Sequence, residues 1–335
     1  MASMALVGGV PVAVAITGTH SFLLALTKDD TGRIPFSSAS VVLLQETTKL
    51  LISIAFSLSS RTWSVSTSDW VYLVPSLCYA LNNNAAILLQ RHMDSATFQV
   101  LCNFKTVTTV LCFYLLLRRT FTPRKWLALL ILFLSGTLNT VSGFQLHATE
   151  WNPASVFITP IGVVGMLLYC FNSGFASVYS EVIMKRNPEP FFVQSIKLYF
   201  GGAVINAVLA AISLHSPADF FTGFSDLTWA IILTQAINGI IYGYVIKHAS
   251  NILRLFIVAV SMLLATATSA VVLGAHLSFP FLCSAAGVLA AIVLFNTAAG
   301  DPKQKPKHSK HNHRNTLSNP NAHHHSPPPS PTKTV

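Results

Sequence analysis

Charge is the scarcest commodity in this chain. Asp, Glu, Lys and Arg together make up 10% of its 335 residues, against roughly 25% in an ordinary soluble domain. Acids are scarcer than bases, 11 against 21. The five cysteines, Cys78, Cys102, Cys112, Cys170 and Cys283, all lie in apolar stretches and none is spaced Cys-x-x-Cys. They read as small buried hydrophobes, with neither a disulfide framework nor a metal site implied. There is no G-x-x-x-x-G-K-[ST] loop to drive work by nucleotide hydrolysis, and no H-E-x-x-H. No cluster of acids or metal ligands gathers at one membrane face, as a polytopic transferase would require. These absences exclude a soluble domain, a disordered chain, a secreted disulfide scaffold and a nucleic-acid module, and they imply no cofactor.

What the chain has is apolar length. Hydrophobic residues are 52% of it, and the mean hydropathy of +0.57 is an average over a very polar C-terminal tail. A bilayer core about 30 Å thick takes roughly 20 helical residues to cross. Ten apolar runs meet that need, at about 5–27, 38–58, 70–90, 96–117, 126–144, 158–184, 192–214, 227–246, 252–273 and 279–298. The expectation is an all-α polytopic membrane protein of ten transmembrane helices, with the bilayer as its first partner. The first run lacks a basic leader and is followed at once by further spans, so it is a helix rather than a signal peptide.

Lys and Arg near span ends collect on the cytoplasmic face. With both termini in the cytosol, the cytosolic loops carry Arg61, Arg118, Arg119, Arg124, Lys125, Lys185, Arg186 and Lys247, and the opposite loops carry Lys28, Arg33 and Arg91. That imbalance places both termini in the cytosol. Six further bases follow residue 300, against the single acid Asp301. This basic, His- and Pro-rich tail, 299–335, reads as solvated and disordered, with contact to anionic lipid or weak metal binding by its histidines as alternatives.

The hairpins Thr120-Phe121-Thr122-Pro123 and Leu277-Ser278-Phe279-Pro280 stand 157 residues apart, and the same offset carries the first span onto the sixth. Two five-helix halves, 1–144 and 158–298, joined by a lumenal connection at 145–157, would insert with opposite orientation, because each holds an odd number of spans. Such inverted repeats are the usual architecture of secondary transporters.

Charges within spans are costly, roughly 2.5–3.5 kcal/mol each at a helix centre, and usually face a cavity or a partner. Glu46 and Lys49 share one face of the second span, as an internal salt bridge or as substrate contacts. Lys105 lies at mid-depth on the fourth span with no acid within helical reach, and Gln99, Asn103 and Thr106 share a neighbouring strip; a helix this polar is expected to line a cavity. Ser173 and Gly174 on the sixth span suit either close helix packing or ligand contact. Ser195 and Tyr199 align four apart on the seventh, and Lys247 and Arg254 flank the start of the ninth. At least one of Asn82, Asn83 and Asn84 should point into the bundle. Counting Lys49, Lys105, Lys197, Lys247 and Arg254 against Glu46 and Glu181 leaves a surplus of positive charge that a phosphate-bearing solute would neutralise.

Three strings carry a family resemblance: LNNNAAILLQRHMDSATFQVLCNFKTVTT (81–109), ITPIGVVGMLLYCFNSGFASVYSEVIMKR (158–186) and AINGIIYGYVIKHASNILRLF (236–256). They resemble the nucleotide-sugar transporter family, in particular the group of CMP-sialic acid and UDP-galactose transporters, over nearly all of residues 5–298. The resemblance implies the drug/metabolite transporter fold of two inverted five-helix repeats and a Golgi antiporter. Such a protein exchanges a cytosolic pyrimidine nucleotide sugar for a lumenal nucleoside monophosphate by alternating access. UDP-sugars and CDP-ribitol are both discussed as cargo within the group.

It also implies that Gln99, Ser173, Gly174 and Tyr199 line the nucleotide site. Where the CMP-sialic acid group has a Tyr-Gln pair, this chain has Cys102 and Asn103; where that group has Asn and Lys, it has Ser195 and Arg254. Arg254 keeps the charge that a phosphate needs, whereas the lost Tyr and Asn speak against CMP-sialic acid itself. The expected substrate-binding set is therefore Gln99, Asn103, Lys105, Ser173, Gly174, Ser195, Tyr199, Lys247 and Arg254. A homodimer, or a complex with other transporters, stays open. A non-transporting membrane scaffold of the same fold, acting through its cytosolic tail, is the alternative from a different class.

Overall fold

The computed structural model describes residues 2–27, 36–59, 69–89, 92–93, 95–118, 120–147, 158–213, 216–273 and 277–298. Among them run eleven α-helices: α1 (Ala2–Leu26), α2 (Ser38–Ser59), α3 (Leu73–Leu89), α4 (Ser95–Cys102), α5 (Phe104–Leu117), α6 (Pro123–His147), α7 (Pro160–Arg186), α8 (Phe191–Ser213), α9 (Asp226–His248), α10 (Asn251–Leu273) and α11 (Phe279–Thr297). With α4 and α5 taken as two parts of one rod, these are the ten helices expected. The expectations for Lys28, Arg33, Arg61, Arg91 and Arg119, for the connection beyond residue 147 and for the tail from residue 299 lie outside the described residues.

The helix starts are written locally. Pro123 and Pro160 occupy first-turn positions, where the missing N–H costs nothing. The Thr159 hydroxyl caps α7 by accepting from the Gly162 N–H at 3.1 Å. Ser225 and Thr228 close a capping box at the head of α9. Four adjustments to the expected spans follow. α6 runs to His147, three residues into the stretch read as connection. α3 has 17 residues and is entered through a single tighter turn, Asp69–Tyr72. Counting α4 and α5 together, eight helices among the described residues are long and apolar enough to cross a membrane by themselves.

The fourth span, finally, is interrupted at Asn103. Its amide Nδ2 donates to the carbonyls of Gln99 at 3.3 Å and Val100 at 3.2 Å, offering the backbone a rival to the helical ladder. The Asn103 N–H then turns to Val100 O, and the Thr106 N–H to Asn103 O, in tight three-residue bonds.

The packing is inside out relative to a soluble bundle. Val271 is 81% exposed and Leu168 65%, while Glu181, Gln194 and Ser53 are fully buried. Large apolar side chains face outward and polar ones inward, the arrangement lipid requires because hydrocarbon offers polar groups no partner. The chain is an all-helical polytopic membrane protein.

The principal pairings are α2 with α8, α6 with α11, α5 with α7, α1 with α10, α3 with α7 and α8, and α9 with α1 and α2. Number the ten rods in chain order and exchange each with the one five places away: this set of pairings maps onto itself. Two close approaches of a glycine to backbone obey the same exchange. A β-carbon at Gly18 of α1 would stand 3.4 Å from the Ser261 carbonyl of α10, and one at Gly174 of α7 would stand 2.8 Å from backbone atoms of Thr108 and Thr109 of α5.

Candidate functional site

Between α2, α3, α7, α8, α9 and α10 lies a central cavity of about 200 Å³. Three charged side chains reach it: Glu46 and Lys49 from α2, and Arg254 from the first turn of α10. Glu46 and Lys49 stand one turn apart and pair at 2.5 Å. They lie in slots left by missing side chains. A β-carbon at Gly202 of α8 would stand 2.9 Å from Glu46 Oε2, and one at Gly239 of α9 would stand 2.9 Å from Lys49 Cδ.

Aromatic rings frame the charges. The Lys49 ammonium sits 4.7 Å from the centroid of the Tyr199 ring, whose hydroxyl donates to the Gly239 carbonyl at 3.3 Å. The Arg254 guanidinium carbon stands 5.8 Å from the Tyr242 ring. Tyr242 OH in turn lies 2.9 Å from the Thr17 hydroxyl of α1, and Tyr79 OH lies 3.2 Å from the Ser180 hydroxyl. Amides finish the lining. Asn206 donates to the Gly202 carbonyl at 2.8 Å, and Asn83 and Gln235 face the cavity beside it. Two buried polar atoms here, Arg254 Nε and Gln235 Oε1, find no hydrogen-bond partner among the described residues. The cavity thus combines one net positive charge, an arginine with donor capacity to spare, and tyrosine faces. Such a site can take a phosphate together with a flat ring.

Of the nine residues expected to bind substrate, Tyr199 and Arg254 line this cavity. Ser195 is fully buried one turn before Tyr199, behind the wall. Gln99 and Asn103 are half-buried at the interruption of the fourth span, where the Asn103 amide also donates to Thr140 of α6 at 3.1 Å. Lys105 donates to Tyr169 OH at 2.7 Å, with its ammonium 4.2 Å from that ring. It finds its partner on α7 and not in an acid. Gly174 is the close-packing point of α7 on α5, and Ser173 is its half-buried neighbour. Lys247 donates to the Glu189 backbone carbonyl.

The charge surplus read from sequence shrinks here, because Glu189 was left out of the tally. Its carboxylate receives Lys197 at 2.8 Å on both oxygens. Glu181, buried in α7, serves as an anchor: one oxygen accepts from Lys185 at 2.7 Å, and the other from the first backbone N–H of α10, at Asn251, at 2.8 Å. Asn82 and Asn84 bond Asn172 and Asn206 respectively, leaving Asn83 for the cavity. Glu46, Lys49, Tyr79, Asn83, Asn206, Gln235 and Tyr242 are among the lining residues missing from the expected set. Glu46 and Lys49 carried a signal, two charges on one face of a span, but the tyrosines and Gln235 are ordinary members of their runs.

Comparison with known proteins returns one consistent answer. The sequence model of nucleotide-sugar transporters matches residues 10–296. A probable UDP-sugar transporter protein SLC35A4 of Mus musculus is 40% identical over 299 residues, covering 85% of this chain and 91% of the relative. The protein of the same description from Homo sapiens is 38% identical, covering 81% and 87%, and that from Danio rerio is 35% identical, covering 85% and 91%. A solved crystal structure, 18% identical, superposes with a TM-score of 0.62 over 86% of this chain and 99% of its own, and shares the fold.

Proposed function

Because the chain belongs to the nucleotide-sugar transporter family, we propose that it is a Golgi antiporter, with its substrate site in the central cavity. It exchanges a cytosolic pyrimidine nucleotide sugar, a UDP-sugar or CDP-ribitol, for a lumenal nucleoside monophosphate by alternating access. The observation that carries this reading is Arg254: a guanidinium in the wall of a cavity within the helix bundle, with a buried Nε that has no partner among the described residues. A phosphate oxygen supplies what that group lacks, through charge-assisted hydrogen bonds. The Lys49 ammonium, held by Glu46 over the Tyr199 ring, adds a second cation within the same wall.

Tyr79, Tyr199 and Tyr242 offer faces for a pyrimidine and a ribose, and Asn83, Asn206 and Gln235 offer amides. Names of the similar SLC35A4 proteins favour a uridine carrier. The exchange-invariant helix pairing supports two inverted five-helix halves, 1–144 and 158–298, that rock about the site. The basic residues at one end of the bundle support cytosolic termini.

The test is uptake into proteoliposomes preloaded with UMP or CMP and offered labelled UDP-sugars, CDP-ribitol and CMP-sialic acid. Uptake that requires one preloaded monophosphate, and fails with the other, establishes exchange and names the base. Folded protein that exchanges none of them overturns the proposal.

A further inference from the structure

α1 and α11 both pack on α10, and between them runs a groove of about 330 Å³, lined chiefly by Val10, Val14, Leu253, Ile257, Val260 and Phe295. Its walls are firm: Ala13, Val245 and Ile257 form a buried cluster against which Val10, Val14 and Leu253 pack. Ser250 and the exposed Asn296 mark its polar end. Its size is that of a ligand pocket, about 300–1,000 Å³. Its apolar walls offer water no hydrogen-bond partner, whereas an acyl chain gains dispersion contacts along them.

Basic side chains stand near the groove. Phe295, in the groove wall, has the Lys125 ammonium 5.4 Å from its ring centroid, and Arg124 precedes Lys125 in the first turn of α6. Neither residues 95–149 nor residues 251–300, which supply α4, α5, α6, α10, α11 and their joining segments, contain a single Asp or Glu. Arg118 stands at the C-cap of α5, and Arg124 and Lys125 lie in the first turn of α6. The cytoplasmic leaflet is the anionic one, and basic sites between helices on that side hold anionic headgroups.

We propose that the groove between α1 and α11 is a binding site for an anionic phospholipid of that leaflet. One acyl chain lies on Leu253, Ile257 and Val260, and the phosphate meets Lys125 and Arg124. The site is separate from the central cavity and does not depend on which solute the protein carries.

Native mass spectrometry tests this on full-length protein from nanodiscs of phosphatidylcholine and phosphatidylinositol with identical chains. One phosphatidylinositol should remain per chain, preferred about fivefold for each basic residue it engages. Val260→Trp and Asn296→Trp each fill the groove and should lose it with the melting temperature unchanged. If the first variant fails to fold, the second, at an exposed position of the mouth, decides. Lys125→Ala combined with Arg124→Ala should keep a bound lipid and lose the preference. Equal retention by the wild type and a folded Trp variant overturns the site. Equal retention of the two lipids by the wild type overturns its anionic character. Efficient disulfide formation between two chains bearing Ile292→Cys would put a second copy on the groove and also overturn it.

Discussion

Single side chains divide here into those that line the proposed substrate cavity and those that keep helices together, and residue type alone does not sort them. Arg254→Ala should weaken nucleotide binding by about 1.5–3 kcal/mol, the scale of a hydrogen bond to a charged group, and leave the melting temperature unchanged. Equilibrium binding of UMP to detergent-solubilised protein measures it, and Arg254→Lys should recover only part of the loss. Gly174 behaves oppositely. A β-carbon there would stand 2.8 Å from the Thr108 backbone, and backbone cannot swing aside as a side chain can. Gly174→Val should therefore cost about 1–3 kcal/mol of stability by overpacking, read as an earlier thermal transition in size-exclusion chromatography.

Arg254 was legible in the sequence because a charge near a span end, beside a family motif, stands out. Gly174 was legible only as ambiguous, since small residues at helical spacing serve packing and ligand contact alike.

Elements are held in register by a few polar contacts whose loss is felt along a whole helix. Asn103 is the clearest case. Its amide satisfies Gln99, Val100 and Thr140, so Asn103→Leu should lower thermal stability by about 1–3 kcal/mol with nucleotide affinity unaltered. A variant as stable as the wild type but deficient in UMP binding would restore Asn103 to the site that the sequence suggested. Glu181 is a second case: it caps the first N–H of α10 and pairs with Lys185. Glu181→Ala strands a buried donor and should cost about 1–3 kcal/mol, visible as loss of protection at Asn251 in hydrogen exchange.

Neither contact could be found from periodicity. The helices themselves were, because twenty apolar residues announce a span, and their ends were found to within a few residues because polar breaks interrupt the apolar runs. The pairings were not: Lys105 with Tyr169, and Lys197 with Glu189, join residues 64 and 8 positions apart, and helical spacing is silent on contacts between helices. For the same reason Tyr79, Gln235 and Tyr242 were invisible as cavity residues, since a tyrosine or glutamine within an apolar run declares no direction until neighbouring helices are in place.

For the molecule as a whole, the proposed orientation has both termini in the cytosol. Epitope tags at residues 1 and 335 should therefore be reached together by antibody after selective permeabilisation of the plasma membrane, and access to only one of them would mean that a span has been misread. The helix pairings reach further. Under the proposed alternating access, a bundle whose principal pairings are unchanged when five rods trade places with the other five can tilt in either sense by remaking the same kinds of contact, and the direction of traffic falls to the concentrations of solute on the two sides. Such a device behaves as a revolving door, indifferent to who is entering and who is leaving.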